Sequence, residues 1–215
     1  MPGIAVVLGA FAVAALLLSL RRWLDHRRYA AVGHLAGAAA LGWLCLATWD
    51  LGRGLAAYEP RHDGRPVAEI GFERLGEGRF RATLTRLPGG RMQVFEMQGD
   101  EWRIQARLLD WTQRARSLGA RPRYRLERLE SRRSADASQP RTACCSRYAL
   151  AEDVGPDVWR QAQERTLQAR AILPSLAASE YAPMENGAVF RLSLHGGTLS
   201  AGRVAGAGTP PGESR

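Results

Sequence analysis

Apolar and polar residues follow two patterns along the chain, and the first is a pair of long apolar runs near the start. The run over about residues 3–20 contains no charged residue, and His34 is the only basic or acidic residue in the run over about 30–49. At about 1.5 Å per residue, a helix of either length spans roughly the 30 Å hydrocarbon core of a membrane. Because backbone in lipid must satisfy its own hydrogen bonds, we predict a transmembrane helical hairpin over residues 1–50.

The second pattern is alternation, which begins after a connector over residues 51–66 that is rich in Gly and Pro. Over 79–87, Phe80, Ala82 and Leu84 alternate with arginines and threonines. Three further segments follow the same period of two: 67–75, 91–97 and 101–109. This period, with turn residues between the segments, predicts an antiparallel meander that buries one face.

The apolar face of a single sheet needs a cover, and one helix is predicted to provide it. Pro156 and Asp157 favour a helix start, since Pro suits the first turn and Asp suits the positive end of the helix. Helical spacing then continues through five residues: Val158, Ala162, Thr166, Ala169 and Leu173. The fold class predicted is therefore a membrane-anchored α+β protein, with one covering helix on a soluble, mostly antiparallel β-rich domain over residues 67–204.

Four irregular features are also predicted. A register slip is expected near Val94, and a polar, aperiodic segment over 131–141 predicts a mobile loop. Gly196-Gly197 predicts the turn of a closing hairpin. Residues 205–215, rich in Gly and Pro, predict a disordered tail.

Arginines cluster between the two apolar runs, and they indicate an orientation. The cluster consists of Arg21, Arg22, Arg27 and Arg28, whereas the flank after the second run mixes arginines with acidic residues. Loops that carry excess positive charge stay in the cytoplasm. We therefore expect both helices in a bacterial inner membrane and the soluble domain in the periplasm.

The net charge of +9 comes from 30 arginines, with no lysine, against 21 acidic residues. Such a charge suits membrane lipids or an acidic partner. Arginines are densest over 102–133, where Arg103, Arg107, Arg123 and Arg125 fall on polar strand faces. These four are predicted to be surface-binding residues, for anionic lipid headgroups or an acidic protein. The alternative is a sheet face that is merely solvated or ion-paired, and nucleic acid is not expected in the periplasm.

Motifs for catalysis and metal binding are missing from the sequence. The chain has no GxSxG elbow, no GK[ST] phosphate loop and no Cys-His set with zinc spacing. We therefore predict no catalytic residue, no cofactor and no metal site. Adjacent Cys144 and Cys145 leave two interpretations open: a vicinal redox pair, or two small residues in or beside a strand.

Four stretches carry a resemblance to a known family: GFERLGEGRF, FEMQGDEWRIQARLLDW, LGARPRYRLERLESR and YAPMENGAVFRLSL. The chain resembles a family of small two-helix proteobacterial membrane proteins labelled cation/multidrug efflux pump or multidrug transporter. The resemblance covers most of the chain, is most specific in GDEW, YRLERL and APMENGA, and weakens around 131–145 and 165–180. It implies a part in efflux, as an accessory subunit or as an oligomer, because two helices alone cannot line a substrate path.

The sequence thus predicts an inner-membrane-anchored, non-enzymatic accessory or interaction protein with a periplasmic β-rich domain. Its expected partners are membrane lipids and an envelope or transporter protein complex. Two alternatives stay open: a component of cation or multidrug efflux, and an Arg-rich domain that binds an anionic lipid surface. The oligomeric state is not predicted.

Overall fold

The computed structural model describes residues 2–24, 28–134, 146–151 and 155–204. Cys144, Cys145, the predicted tail and most of the predicted loop lie outside the described residues. The chain divides into a helical unit, formed by residues 1–58 and 153–173, and a β-rich unit, formed by residues 59–152 and 174–215.

Two long helices make up most of the helical unit. Helix α1 covers Pro2–Leu24 and helix α2 covers Arg28–Ala56. A Cβ atom placed on Gly9 would lie 3.5 Å from Sγ of Cys45, so the two helices pack together at this point. Helix α2 continues to Ala56, so the first residues of the connector predicted over 51–66 are helical.

Both long helices present apolar surface. Within the described part of the chain, Val32–Ala56 is the one helix long and apolar enough to cross a membrane, with a mean hydropathy of 1.3, and Val6–Arg21 is a shorter apolar helix. Phe11, Leu17 and Leu46 are among their exposed side chains. Exposing apolar surface to water costs about 25 cal/mol per Å². The exposed apolar side chains therefore favour an apolar environment over water. The transmembrane helical hairpin itself stays a prediction.

The predicted covering helix is wrong in its length and its place. Helix α4 covers only Val158–Gln163 and belongs to the helical unit. The Asp157 carboxylate caps it by accepting a hydrogen bond from the backbone N–H of Arg160 at 3.1 Å. The helix ends because Arg165 adopts a left-handed conformation with φ of 53°. A short 3-10 helix, Leu167–Ala169, then leads into a strand.

Gly54 explains why this segment can approach α2 closely. A Cβ atom at Gly54 would lie 2.2 Å from Cγ2 of Val158 and 2.6 Å from the carbonyl oxygen of Pro156. Only glycine leaves room for this contact. Val158 is fully buried as a result, and Ala162 one turn later is buried with it.

The β-rich unit contains two sheets, and its strands are assigned as follows: β1 Glu59–Pro60, β2 Pro66–Gly76, β3 Arg79–Arg86, β4 Met92–Gln98, β5 Glu101–Trp111, β6 Arg123–Arg132, β7 Arg147–Ala149, β8 Ile172–Ala178, β9 Ala182–Pro183, β10 Val189–His195 and β11 Thr198–Arg203. A short helix α3, Gln113–Ser117, joins β5 to β6. Sheet A has the order β1-β6-β5-β8, with β7 beside β6 and β9 beside β5. Sheet B has the order β11-β10-β2-β3-β4. The predicted α+β class with a β-rich antiparallel domain is confirmed.

The two sheets cover each other. Ile70, Leu84 and Leu192 of sheet B and Ile104 and Leu129 of sheet A are completely buried in one hydrophobic cluster. The alternation predicted from the sequence is therefore right. The cover for the apolar face is a second sheet and not a helix.

Two local predictions fail, and one is confirmed. Strands β3 and β4 pair without a shift, so the slip near Val94 is absent, and Val94 simply faces outward. The loop prediction begins too early, because Ser131 and Arg132 end strand β6. The hairpin turn between β10 and β11 is confirmed at Gly196-Gly197, where both glycines have positive φ.

Trp102 is the largest fully buried side chain, and it provides a test of the core. The centre of its ring lies 5.2 Å from that of Phe72 and 5.3 Å from that of Phe190, and both of these residues are on sheet B. We expect Trp102→Ala to lower the free energy of unfolding by about 3–5 kcal/mol, because it leaves a cavity between the sheets. Denaturant unfolding of the full chain in nonionic detergent, followed by circular dichroism, measures this. Leu118→Ala, at a side chain 90% exposed, is the control and should change little; equal losses in the two variants would contradict the assignment.

Candidate binding face

Alternation along β5 and β6 places the four predicted arginines on one side of sheet A. Trp102, Ile104 and Ala106 point into the core, so the residues between them point outward. Arg107 lies directly opposite Arg125 on the neighbouring strand. We define the arginine face as the outer side of this sheet, with seven arginines and three glutamates: Arg103, Arg107, Arg123, Arg125, Arg128, Arg132, Arg147, Glu101, Glu127 and Glu130.

A β-bulge in β6 brings further arginines to this face. Gln105 pairs with Arg128 and Ala106 pairs with Leu126, so Glu127 is the extra residue. Before the bulge, odd-numbered residues of β6 face outward, and after it even-numbered residues do. The sequence analysis missed Arg128 and Arg132 for this reason.

The bulge did leave a signal in the sequence. Leu126 and Leu129 are both buried and are three residues apart, which strict alternation does not allow. Arg147 had no comparable signal, because it reaches the face only through the pairing of β7 with β6.

Glu130 is the centre of the largest ion-pair network on the face. Its Oε2 accepts hydrogen bonds from Nε and Nη2 of Arg103 at 3.0 and 2.9 Å. Its Oε1 lies 3.4 Å from Nη1 of Arg128 and 3.2 Å from Nε of Arg147. The side-chain Nε2 of Gln105 also donates a hydrogen bond to Oε2 of Glu130 at 3.4 Å. Three guanidinium groups thus surround one carboxylate whose side chain is only 6% exposed.

The charge state of Glu130 follows from these contacts. Burial alone would raise the pKa of its carboxyl group. The hydrogen bond and charge of Arg103, the charge of Arg147 and the hydrogen bond from Arg128 outweigh burial and hold the pKa below its usual range. Glu130 is therefore a fixed negative charge at neutral pH.

Glu127 has a similar role at the other end of the face. Its Oε1 lies 3.0 Å from Nη2 of Arg107, and its Oε2 accepts a hydrogen bond from Nη2 of Arg125 at 3.0 Å. Two arginines directly opposite each other would repel. The bulge places a carboxylate between them, so the like charges are tolerated.

An aromatic side chain anchors a third group of arginines. The guanidinium carbons of Arg103 and Arg132 lie 4.7 and 3.7 Å from the ring centre of Tyr181. Arg132 also donates to the Glu101 carboxylate on the opposing strand. Cation–π contacts and ion pairs together hold these guanidinium groups in defined positions.

Tyr124 fixes the inner side of the same strand. Its hydroxyl donates a hydrogen bond of 2.8 Å to Oε2 of Glu59, which lies opposite it on β1. Burial first, and then the hydrogen bond and charge of Glu59, raise the pKa of Tyr124 well above its usual value. The hydroxyl therefore stays protonated and keeps β1 attached to the edge of the sheet.

The exposure of the arginines differs along the face. The side chains of Arg107 and Arg125 are 21% and 10% exposed, whereas those of Arg128 and Arg147 are 42% and 68% exposed. Of the predicted residues, Arg103, Arg107 and Arg125 form ion pairs, and Arg123 extends the face beside them. The end of the face formed by β6 and β7 is the most accessible to a partner.

Two other features bear on possible chemistry: a surface depression and the arrangement of metal-binding side chains. An open depression of about 370 Å³ lies over β10 and β11, lined by Arg191, Ser193, Ser200 and Arg203 among others. Both arginines are paired, with Glu69 and Glu185 respectively. Among the described residues, no group of three His, Cys, Asp or Glu side chains could hold a metal ion.

Comparison of the chain with protein-family models found no match, and comparisons with curated proteins and with solved structures found none either. The resemblance to efflux-labelled membrane proteins therefore stays a prediction. The arginine face is what the geometry itself offers as a binding surface.

Glu130→Gln tests the network at the centre of the face. At pH 7 we expect the free energy of unfolding to fall by about 1–3 kcal/mol, because three guanidinium groups lose a charged acceptor. A carboxyl group whose folded pKa is lowered stabilises the fold above its unfolded pKa, and this stability is lost as the pH falls through the folded pKa. The difference in the free energy of unfolding between wild type and variant should therefore shrink below about pH 4.5. Denaturant unfolding in nonionic detergent at pH 7 and pH 3 measures it.

The matched control is Glu73→Gln, which removes an exposed ion pair with Arg81 on sheet B. Exposed pairs contribute about 0–1 kcal/mol, so this variant should differ little from wild type at either pH. A Glu130→Gln loss of the same size at pH 3 and pH 7 would contradict the assigned charge state.

Proposed function

We propose that the protein is an inner-membrane-anchored, non-enzymatic interaction protein whose arginine face binds an acidic surface of an envelope protein. The arginine face is the observation that carries this proposal. Seven arginines against three glutamates leave a clear excess of positive charge on one side of sheet A. Such a field attracts an acidic partner and raises the rate of its association.

The apolar helices support the anchor. Val32–Ala56 has the length and composition of a membrane span, and α1 contributes a second, shorter apolar segment. Leu46 and Phe11 are exposed by more than half of their surface. Lipid would cover these side chains, and the arginines between the two runs would then keep their loop in the cytoplasm. The β-rich unit is accordingly proposed to lie in the periplasm.

The pattern of charges favours a protein partner over a lipid surface. A bilayer presents a uniform negative potential, and the glutamates interleaved on the face would be repelled by it. Glu101 and Glu127 together with their arginines instead make a fixed pattern of both signs. A protein surface can match such a pattern group by group, which gives specificity as well as attraction.

The resemblance to efflux-labelled membrane proteins points to a transporter as the partner. Two helices are too few to enclose a substrate path across the membrane. The part proposed for this chain is therefore that of an accessory subunit, with transport residing in the partner. Loss of drug or metal tolerance on deletion would agree with this, and unchanged tolerance would point to a partner outside efflux.

Leu118→Cys tests the proposed orientation, because its side chain is 90% exposed in the β-rich unit. We expect a membrane-impermeant maleimide to label this variant in intact spheroplasts. Wild type, which has only the native cysteines, measures the background labelling. Labelling of the variant above background only after lysis would place the β-rich unit in the cytoplasm and contradict the proposal.

Site-specific crosslinking tests the partner. A photoreactive amino acid in place of Gln105, at the centre of the arginine face, should give a defined protein adduct in intact cells. The same amino acid in place of Thr83, on the outer side of sheet B, is the positional control. We expect the adduct to decrease severalfold in the double variant Arg107→Gln/Arg132→Gln, because the positive field is weakened.

The matched charge control is Arg81→Gln/Arg191→Gln, which removes two ion-paired arginines from sheet B and should leave the adduct unchanged. Adducts of lipid mass at position 105 would indicate that the arginine face contacts a membrane surface and not a protein partner. The absence of any adduct that depends on the arginine face would contradict the proposed function.

A further inference from the structure

We propose that Arg103, Arg128 and Arg147 form a binding site for a phosphate-class dianion, built around the buried carboxylate of Glu130. The ligand is a small tetrahedral oxyanion with two negative charges, either free phosphate or a phosphate monoester. This inference concerns a small ligand and does not depend on the protein partner proposed above.

The charge balance of the cluster sets the charge of the ligand. Three guanidinium groups converge on one carboxylate, which leaves two positive charges in excess. The Glu130 side chain is 6% exposed, so it lies beneath the guanidinium groups and not in front of them. It therefore holds the arginines together without occupying the outer surface where a ligand would bind.

The convergence of the arginines sets the size of the ligand. Arg128 and Arg147 stand on neighbouring strands, and both contact the same oxygen, Oε1 of Glu130, at 3.4 and 3.2 Å. Their contacting nitrogens can be no farther apart than these two distances added together. A compact anion can thus meet both guanidinium groups at once, whereas two separate carboxylates would need a wider spacing.

The remaining hydrogen-bond donors suit a phosphate. Each guanidinium group carries five N–H donors in a planar fork, and the contacts of Arg128 and Arg147 with Glu130 each involve one nitrogen. The other donors lie on side chains that are 42% and 68% exposed. Forked donors of this kind bind phosphate oxygens in pairs, which is stronger than binding by a point charge.

Neighbouring residues hold the site in place. Arg103 contacts the Tyr181 ring as well as Glu130, so its guanidinium group is fixed on two sides. The Gln105 amide fills the remaining position on Oε2 of Glu130. Because the donors are already positioned, little side-chain entropy is lost when an anion binds.

Calorimetric titration of the purified full-length protein in nonionic detergent tests the site. The probes are inorganic phosphate, glycerol 3-phosphate as a phosphate monoester, and dimethyl phosphate as a diester that carries one negative charge. We expect saturable binding of the first two at one site, and binding of dimethyl phosphate weaker by about tenfold or more because one charge is missing. Preference between the first two probes distinguishes free phosphate from a phosphate monoester.

Arg128→Gln and Arg147→Gln should each weaken phosphate binding by about tenfold or more. The matched control is Arg81→Gln, whose side chain is 43% exposed and also ion-paired, but on sheet B. Two variants are used so that the test still stands if one of them fails to fold. Circular dichroism checks the folding of each variant.

Three results would overturn the proposal: no saturable binding of either dianion, equal binding of dimethyl phosphate, or equal weakening by Arg81→Gln. The titration uses a soluble anion and no partner. Its failure therefore leaves the crosslinking test at position 105 unaffected, and the two proposals are judged separately.

Discussion

The burial of two sheet faces against each other is the constraint on which the rest of the β-rich unit depends. Trp102 and Phe190, on different sheets, pack ring against ring, and completely buried aliphatic side chains fill the space around them. Since successive residues of a strand point to opposite sides, every residue committed to this core forces its neighbour outward. The arginine face is thus a product of the core, because Arg103 and Arg107 flank residues that the core requires.

The bulge at Glu127 shows how a local irregularity serves that constraint. Without the bulge, strict alternation through Glu127 would place the residues of β6 beyond it on the opposite sides, and Glu130 would be forced into the apolar layer. With it, Leu129 stays in the core and Glu130 turns outward, where three guanidinium groups balance its charge. The same residue also supplies the carboxylate that separates Arg107 from Arg125. One bulge therefore accommodates both the packing of the core and the charge pattern of the surface.

The sequence was most informative where a single physical rule decides the outcome. Alternation at Phe80, Ala82 and Leu84 predicts a half-buried strand because nothing else places every second residue in a core. The same rule says that one face is buried but does not say by what, so a helix was predicted where a second sheet lies. The four predicted arginines do share a face, yet Arg147 joins them only by a long-range pairing. Long-range pairings leave no periodic trace in the chain.

The order of segments has a consequence for how the protein can be divided. The helical unit takes its residues from two parts of the chain, with residues 153–173 returning to it from within the β-rich unit. A polypeptide shortened to begin at residue 59 would keep this returning segment but lose the helix against which it packs. Val158 would then lose the surface of α2 that covers it at Gly54. Truncation at residue 59 therefore exposes an apolar segment to water, and a shortened protein that keeps the β-rich unit alone would also need residues 153–173 replaced by a linker.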